Sequence, residues 1–288
     1  MPDFELGPNQ YGKAETRLVR VERGGGDTGG DRLTDLNVSV ALRGDLAASH
    51  LTGDNAAVLP TDTQKNTVYA FAREFGIASI EAFAVRLAEH FVATQPTIHE
   101  ARVRIEQYPW QPVDGRHTFR RDASEVRTAT VHHGQYGTQV VSGVTGLVLL
   151  KTTDSEFHGF LKDRWTTLPE TRDRILATSV DATWRTAAGF ADPGPAREAL
   201  VEAFADTYSY ALQQTLFAMG SRVLERCPDV VEVKLSLPNR HHFLVDLRPF
   251  GLDNPDEVYF AADRPYGLIE GVVRRDGATV PQEVAWTF

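Results

Sequence analysis

Cysteine is almost absent from this sequence, and long apolar runs are absent altogether. The 288 residues include one cysteine, Cys227, which excludes an internal disulfide and indicates a reducing compartment. No stretch approaches the roughly 18 apolar residues of a membrane-spanning helix, and the first residues lack the basic and apolar segments of a secretory signal. Residues 285–288 differ from the Ser-Lys-Leu peroxisomal signal. We therefore expect a cytoplasmic protein with no membrane partner.

Positive charge is also in short supply. Lysine and arginine number 30 against 39 acidic residues, which gives a formal net charge of −9. This balance disfavours nucleic acid as a partner, although a local basic pocket could still bind a small anion. The hydrophobic share of 42% is ordinary for a globular protein with a sizeable core, and the length predicts about two domains.

The motifs of common metal and nucleophile sites are missing. The nine histidines include the adjacent pairs His132-His133 and His241-His242, but no His-x-His and no His-Glu-x-x-His. Adjacent residues on a strand point to opposite faces, so neither pair can easily bind one ion. No Gly-x-Ser-x-Gly occurs, and the glycine-rich residues 24–31 precede neither Gly-Lys-Ser/Thr nor a predicted helix. The sequence therefore predicts no metal site and no phosphate-binding loop.

Apolar spacing in the first half predicts two strands, two helices and further strands. Strands at 14–23 and 36–42 flank the glycine-rich hairpin tip at 24–31. One helix begins near 63, and another follows the capping residue Ser79. A strand from 101 ends at Pro109, and a last strand or pair ends at 146–150.

The second half repeats this order with an additional short helix. A capping box at 167–170, with Pro169 at the first helical position, predicts a short helix to 177. A strand at 180–184, a helical region from 195 to about 226 with a break near 206, and strands at 231–237 and 242–247 follow. The repeated order predicts an α+β fold with two antiparallel sheets backed by helices, divided into 1–145 and 146–288.

Four separated segments carry the most specific pattern. They are Tyr11-Gly12-Lys13, LPTDTQKNTVY at 59–69, LKTTDSEFHGF at 150–160 followed by RWTTLPETRDRIL at 164–176, and SLPNRHHF at 236–243. In this order and spacing they resemble the urate oxidase (uricase) family over nearly the whole chain. The resemblance implies two tunnelling-fold (T-fold) modules per subunit and a homotetramer with active sites at subunit interfaces. It also implies that urate, O2 and water give 5-hydroxyisourate and H2O2 without a metal or an organic cofactor.

The resemblance also implies roles for individual residues. A proton relay falls on Lys13, Thr61 and His241. The substrate-binding positions are Thr61, Asp62, Phe157, Arg174, Leu212, Gln213 and Asn239, the last beside the oxygen site. Gln213 is matched through LQQT at 212–215 against the family's Val-Gln-x-Thr, with Gln214 as the alternative register and Leu212 in place of the usual valine. His158 stands where a tryptophan is common in the family.

These residue types suit the chemistry of urate. A guanidinium and a carboxamide can bind the edge of a flat anionic purine in its own plane, and an aromatic ring can stack on its face. The urate dianion is electron-rich enough to give up an electron itself, so the protein must remove a proton and hold O2. A lysine can be the base only where burial or a neighbouring cation lowers its pKa, while a hydroxyl can pass the proton and a histidine can orient water.

Two alternatives stay open on the sequence alone. A pterin- or purine-processing T-fold enzyme would need a zinc-binding histidine cluster. A non-catalytic purine-binding protein would not need Lys13, Thr61 and His241 together. Taken singly, Thr61 could be a helix cap, Phe157 a core residue and Arg174 a cation on a helix face.

Overall fold

The chain begins with the hairpin expected from its alternating residues. In the computed structural model, which describes residues 4–26, 29–121, 125–190 and 192–278, strands β1 (Tyr11–Glu22) and β2 (Arg32–Gly44) pair antiparallel. Both strands are longer than predicted. Residues 27 and 28 of the predicted hairpin tip lie outside the described residues.

The rest of the first unit confirms the predicted pair of helices. Its further elements are α1 (Ala47–Leu51), α2 (Thr61–Glu74), α3 (Ile80–Thr94), β3 (Ile98–Tyr108), β4 (Trp110–Pro112), β5 (Phe119–Arg121) and β6 (Val126–Gly134). Strand β7 (Gly137–Lys151) begins in this unit and ends in the second. The Ser79 hydroxyl accepts the Ala82 N–H at 3.1 Å, so the predicted cap of α3 is confirmed. Strands β1, β2, β3 and β6 follow one another in an antiparallel sheet, on which Val68, Phe83 and Phe91 of the helices are buried.

The second unit contains further strands and two long helices. Its elements after β7 are β8 (Leu176–Thr186), α4 (Pro193–Asp206), α5 (Leu212–Arg226), β9 (Val230–Asn239), β10 (His242–Leu244), a short 3-10 helix (Arg248–Phe250), β11 (Tyr259–Ala261) and β12 (Gly267–Arg274). The predicted break near 206 is confirmed, because α4 ends at Asp206 and α5 begins at Leu212. Trp184 of β8, Phe204 of α4 and Met219 of α5 lie in the core of this unit.

The two units divide the chain close to its middle. Among the described residues, the first unit extends to Gly143 and includes Arg185–Phe190, and the second contains Val144–Trp184 and 192–278. The sequence places the division at 145/146. Within the described ranges, no helix is long and apolar enough to cross a membrane.

The predicted helix from 167 to 177 is wrong. Residues 172–175 form no regular element, Thr171 makes an isolated bridge with Phe157, and β8 begins at Leu176. The capping box is a local signal only, and residues 171–174 offer no apolar stripe that a helix could bury. Arg174 is therefore not a helix-face cation.

Two strands of the second unit, β11 and β12, have no counterpart in the sequence prediction, and β10 is shorter than predicted. Strand β12 pairs antiparallel with β9, and Gly271 lies where a Cβ would come 2.9 Å from the Leu216 side chain of α5. Glycine at this position interrupts the apolar alternation that identifies a strand. The predicted strand at 242–247 ends at Leu244.

Candidate active site

The residues of Tyr11-Gly12-Lys13 begin β1 and have separate structural roles. The Tyr11 hydroxyl donates to the Leu59 carbonyl at 3.1 Å and accepts the Leu59 N–H at 2.9 Å. A Cβ on Gly12 would lie 1.8 Å from the carbonyl oxygen of Val40 in β2, so a larger residue would collide with backbone. Lys13 is half-buried and stands opposite Val40. The motif thus holds Lys13 at the edge where β1 meets the segment leading into α2.

Thr61 and Asp62 are the first two residues of α2. The N-cap position belongs to Pro60, which makes no side-chain cap, so the capping role considered for Thr61 is wrong. The N–H groups of a first helical turn have no partner inside the helix and form the positive end of its dipole. The pKa of Asp62 is lowered, first by its hydrogen bond from Lys65 and to a small extent by the charge of Lys13. The first unit therefore gathers Lys13, Thr61 and Asp62.

Phe157 and Arg174 lie together in the second unit. Phe157 and Thr171 exchange backbone hydrogen bonds of 2.9 and 3.0 Å, and Ser155 forms a parallel bridge with Ser209. The Arg174 Nε donates to the Ser155 hydroxyl at 3.3 Å, and the guanidinium carbon lies 5.3 Å from the centre of the Phe157 ring. Burial lowers the pKa of Arg174 from its ordinary value. The result is a guanidinium held over an aromatic ring.

Asn239 and His241 lie at the end of β9, beside the beginning of the neighbouring strand β8, which Arg174 precedes. Strand β9 ends at Asn239, and the next N–H, that of Arg240, donates to the Ala177 carbonyl of β8 at 2.8 Å. Arg174 comes two residues before β8. The pKa of His241 is lowered, first by burial and then by the positive charge of Arg174. His241 is therefore neutral near pH 7 and close enough to Arg174 to sense its charge.

Leu212 and Gln213 begin α5. The Leu212 side chain is buried in the core, while Gln213 is exposed. The carboxamide oxygen of Gln214 accepts the Tyr210 N–H at 3.2 Å, so this side chain is engaged by its own backbone. The contact favours Gln213 over Gln214 as the residue available to a ligand.

The predicted site residues thus fall into two groups, one in each unit. Lys13, Thr61 and Asp62 belong to the first unit, and the remaining residues belong to the second. Two contacts around these residues were not predicted, those of Tyr11 with Leu59 and of Ser155 with Arg174, although Tyr11 and Ser155 lie inside the matched segments. In the part of the chain that the structure describes, no three His, Cys, Asp or Glu residues are arranged to hold a metal ion.

Comparison with known proteins gives a consistent result. The family model described as uricase matches residues 9–132 and 140–270. The uricase of Arthrobacter globiformis is 52% identical over 278 residues, which cover 95% of this chain and 91% of that protein. The uricase of Dictyostelium discoideum is 36% identical over 279 residues, covering 93% and 96%. A crystal structure of the Arthrobacter globiformis enzyme superposes with a TM-score of 0.92 at 50% identity and covers 97% of this chain and 98% of that chain. The chain therefore belongs to the uricase family.

Proposed function

We propose that this protein is a urate oxidase, which converts urate, O2 and water to 5-hydroxyisourate and H2O2. The observation that carries the proposal is the Arg174 guanidinium beside the Phe157 ring, at the sheet edge that also holds Asn239 and His241. A flat anion can stack on the ring while its edge meets the guanidinium. Family membership supplies the identity of that anion.

The binding roles follow from this arrangement. Arg174 and Gln213 hydrogen-bond the purine edge, and Phe157 stacks on its face. Leu212, whose side chain is buried, contributes its backbone N–H at the beginning of α5. The corresponding N–H groups of Thr61 and Asp62 at the beginning of α2 suit a negatively charged ligand for the same reason.

The proton chemistry belongs to Lys13, Thr61 and His241. Thr61 can donate and accept a hydrogen bond at once, so it can pass a proton between urate and Lys13. The neutral His241 can accept a hydrogen bond from the water that hydroxylates the product. Asn239 holds O2 or water over the ring. The urate dianion supplies the electrons that reduce O2 to H2O2, so the reaction needs neither a metal nor an organic cofactor.

The assembly completes the site. We propose that residues 1–145 and 146–288 are two T-fold modules and that four chains form a homotetramer. In this arrangement Lys13, Thr61 and Asp62 of one subunit meet Arg174 and its neighbours from another. The support is the resemblance of the four motifs to those of the family and the division of the site residues between two units. The cytoplasmic location expected from the sequence stays a prediction.

The decisive assay follows the near-ultraviolet absorbance of urate in air, using protein dialysed against a strong chelator. We expect loss of urate with formation of an equal amount of H2O2. Activity that vanishes on chelation and returns only with a specific metal would refute the metal-free mechanism. Urate that binds under nitrogen but is not consumed in air would favour the non-catalytic binding protein.

A further inference from the structure

Glu156 is a buried carboxylate beside the site that the proposed chemistry does not use. The residue is 7% exposed and lies between Ser155 and Phe157, both of which contact Arg174. One carboxylate oxygen accepts the His158 Nε2 proton at 2.8 Å, and the other accepts the Tyr208 hydroxyl proton at 3.1 Å. Burying a carboxylate is costly unless its oxygens are hydrogen-bonded, and here both are.

The backbone places Glu156 between two parts of the site. Its N–H donates to the Ser209 carbonyl at 2.8 Å, and the Ser209 N–H donates to the Asp154 carbonyl at 2.9 Å. The Thr215 hydroxyl of α5 in turn donates to the Ser209 hydroxyl at 2.8 Å. Neighbouring residues of an extended segment point to opposite sides, so Ser155 and Phe157 share one side while Glu156 points to the other. That other side carries the connection from α4 to α5.

The hydrogen-bonding partners of Glu156 have well-defined donor roles. The Nε2 atom of His158 is 2.8 Å from Glu156 and 3.3 Å from a guanidinium nitrogen of Arg172. One ring nitrogen cannot donate and accept at once, so the shorter contact assigns the proton to Nε2. The pKa of Tyr208 is raised, first by burial and then by its bond to Glu156, so its hydroxyl stays a donor across neutral pH.

We propose that Glu156 is a positioning residue for the substrate. Through Tyr208 it joins the segment that carries Phe157 to the connection that leads into Leu212 and Gln213. It thereby sets the distance between the stacking ring and the carboxamide that bind the purine. The inference rests on the proposed function, because it assigns Glu156 to the urate site.

The test compares Glu156→Ala, Glu156→Gln and Tyr208→Phe with the wild type. Urate affinity is measured by calorimetry under nitrogen, where no oxidation occurs, and KM and kcat are measured in air. Glu232→Gln is the matched control, because Glu232 is also 7% exposed in the same unit and its carboxylate is bonded by Arg274.

We expect a selective loss of binding. Tyr208→Phe removes one of the two hydrogen bonds, and Glu156→Gln removes the negative charge and one acceptor oxygen, so each should raise the urate Kd and KM about threefold to tenfold. Glu156→Ala removes both bonds and should raise them at least about tenfold, with kcat within about twofold of the wild type. The double variant Glu156→Ala/Tyr208→Phe should be no worse than Glu156→Ala, since both act through one carboxylate. Glu232→Gln should leave Kd unchanged.

Several results would overturn the positioning role. Unchanged Kd in Glu156→Gln and Tyr208→Phe would do so even if Glu156→Ala fails to fold. A rise in Kd as large in Glu232→Gln would show a general effect of losing a buried carboxylate. A wild type that consumes no urate would instead reject the proposed function, so the two failures are distinguishable.

Discussion

Gly12→Ala tests whether a backbone contact at the beginning of β1 sets the position of Lys13. The new Cβ would lie 1.8 Å from the carbonyl oxygen of Val40 and 2.7 Å from its carbon, whereas real Cβ atoms keep at least 3.0 Å. The strands must therefore separate locally by about 1 Å, and Lys13, the next residue, moves with β1. A misplacement of about 1 Å at a catalytic group can cost about 10²-fold in rate.

The assay separates catalysis from binding and from stability. We expect kcat for urate to fall about 10²-fold, while the urate Kd under nitrogen changes little because Arg174 and Phe157 lie in the other unit. Overpacking of this kind should also lower the free energy of unfolding by about 1–3 kcal/mol. Gly7→Ala is the control, because a Cβ at Gly7 meets no atom within 4 Å. The control variant also corrects for the lower conformational entropy of alanine in the unfolded chain, which by itself raises the free energy of unfolding by about 0.4–1 kcal/mol.

A Gly12→Ala protein with wild-type kcat and wild-type unfolding free energy would refute this reasoning. It would mean that β1 adapts to the methyl group without moving Lys13. A fall in kcat that Gly7→Ala shares would also refute it, because the Gly7 position has no steric conflict.

The other predictions concern binding, proton transfer and pH. Arg174→Ala should weaken urate binding under nitrogen by about 2–5 kcal/mol, because the anionic edge of urate is left unpaired. The control is Arg248→Ala, which removes an exposed arginine and should not change urate binding. Equal urate Kd values for the two variants would contradict the binding role of Arg174. Thr61→Ala and Lys13→Met should each lower kcat by about 10²–10⁴ without weakening urate binding, and multiplicative losses in the double variant would contradict a shared relay. His132 has a pKa of about 4 because burial and nearby arginines disfavour its charged form. In the unfolded chain the histidine pKa is about 6.5, so the unfolded state binds this proton more readily than the folded state. The free energy of unfolding should therefore fall as the pH drops from about 6.5 to about 4. Urea unfolding of His132→Gln should show a smaller fall over the same pH range.

Local sequence signals predicted the secondary structure correctly where tertiary packing favoured the same structure. The Ser79 cap and the apolar spacing after it predicted α3, and both the cap and the buried face containing Phe83, Leu87 and Phe91 are present. The break between α4 and α5 was predicted equally well. In these places the local preference and the buried surface favour the same structure.

Local signals failed where long-range contacts determine the backbone. The capping box at 167–170 would begin a helix in isolation, but Thr171 bonds to the backbone of Phe157, far from it in sequence. Strand β12 escaped prediction because α5 approaches it closely. A Cβ on Gly220 would come 2.5 Å from Val273, and the glycine in β12, Gly271, breaks the apolar alternation.

The site shows the same division between local and long-range information. The motifs predicted binding roles for Arg174 and Phe157, but the contact between Arg174 and Ser155 depends on how residues 151–175 fold back on themselves. The sequence matched Gln213 to the family motif, with Gln214 as the alternative register. The hydrogen bond from the Tyr210 N–H to Gln214 favours Gln213 on physical grounds.

With urate stacked on Phe157 as proposed, the paired hydrogen bonds between Phe157 and Thr171 make substrate binding and local unfolding parts of one equilibrium. Their amide hydrogens exchange with solvent when this irregular segment opens, and the same opening separates Phe157 from Arg174. Urate that binds the closed form alone raises the opening free energy, by about 2.7 kcal/mol at a hundred times its Kd. The exposed Lys162 and Arg164 lie in this segment, so trypsin should cleave the substrate-free protein there faster than the saturated one. Substrate thus acts as a protective ligand, and the enzyme is most vulnerable to proteolysis when it has nothing to oxidise.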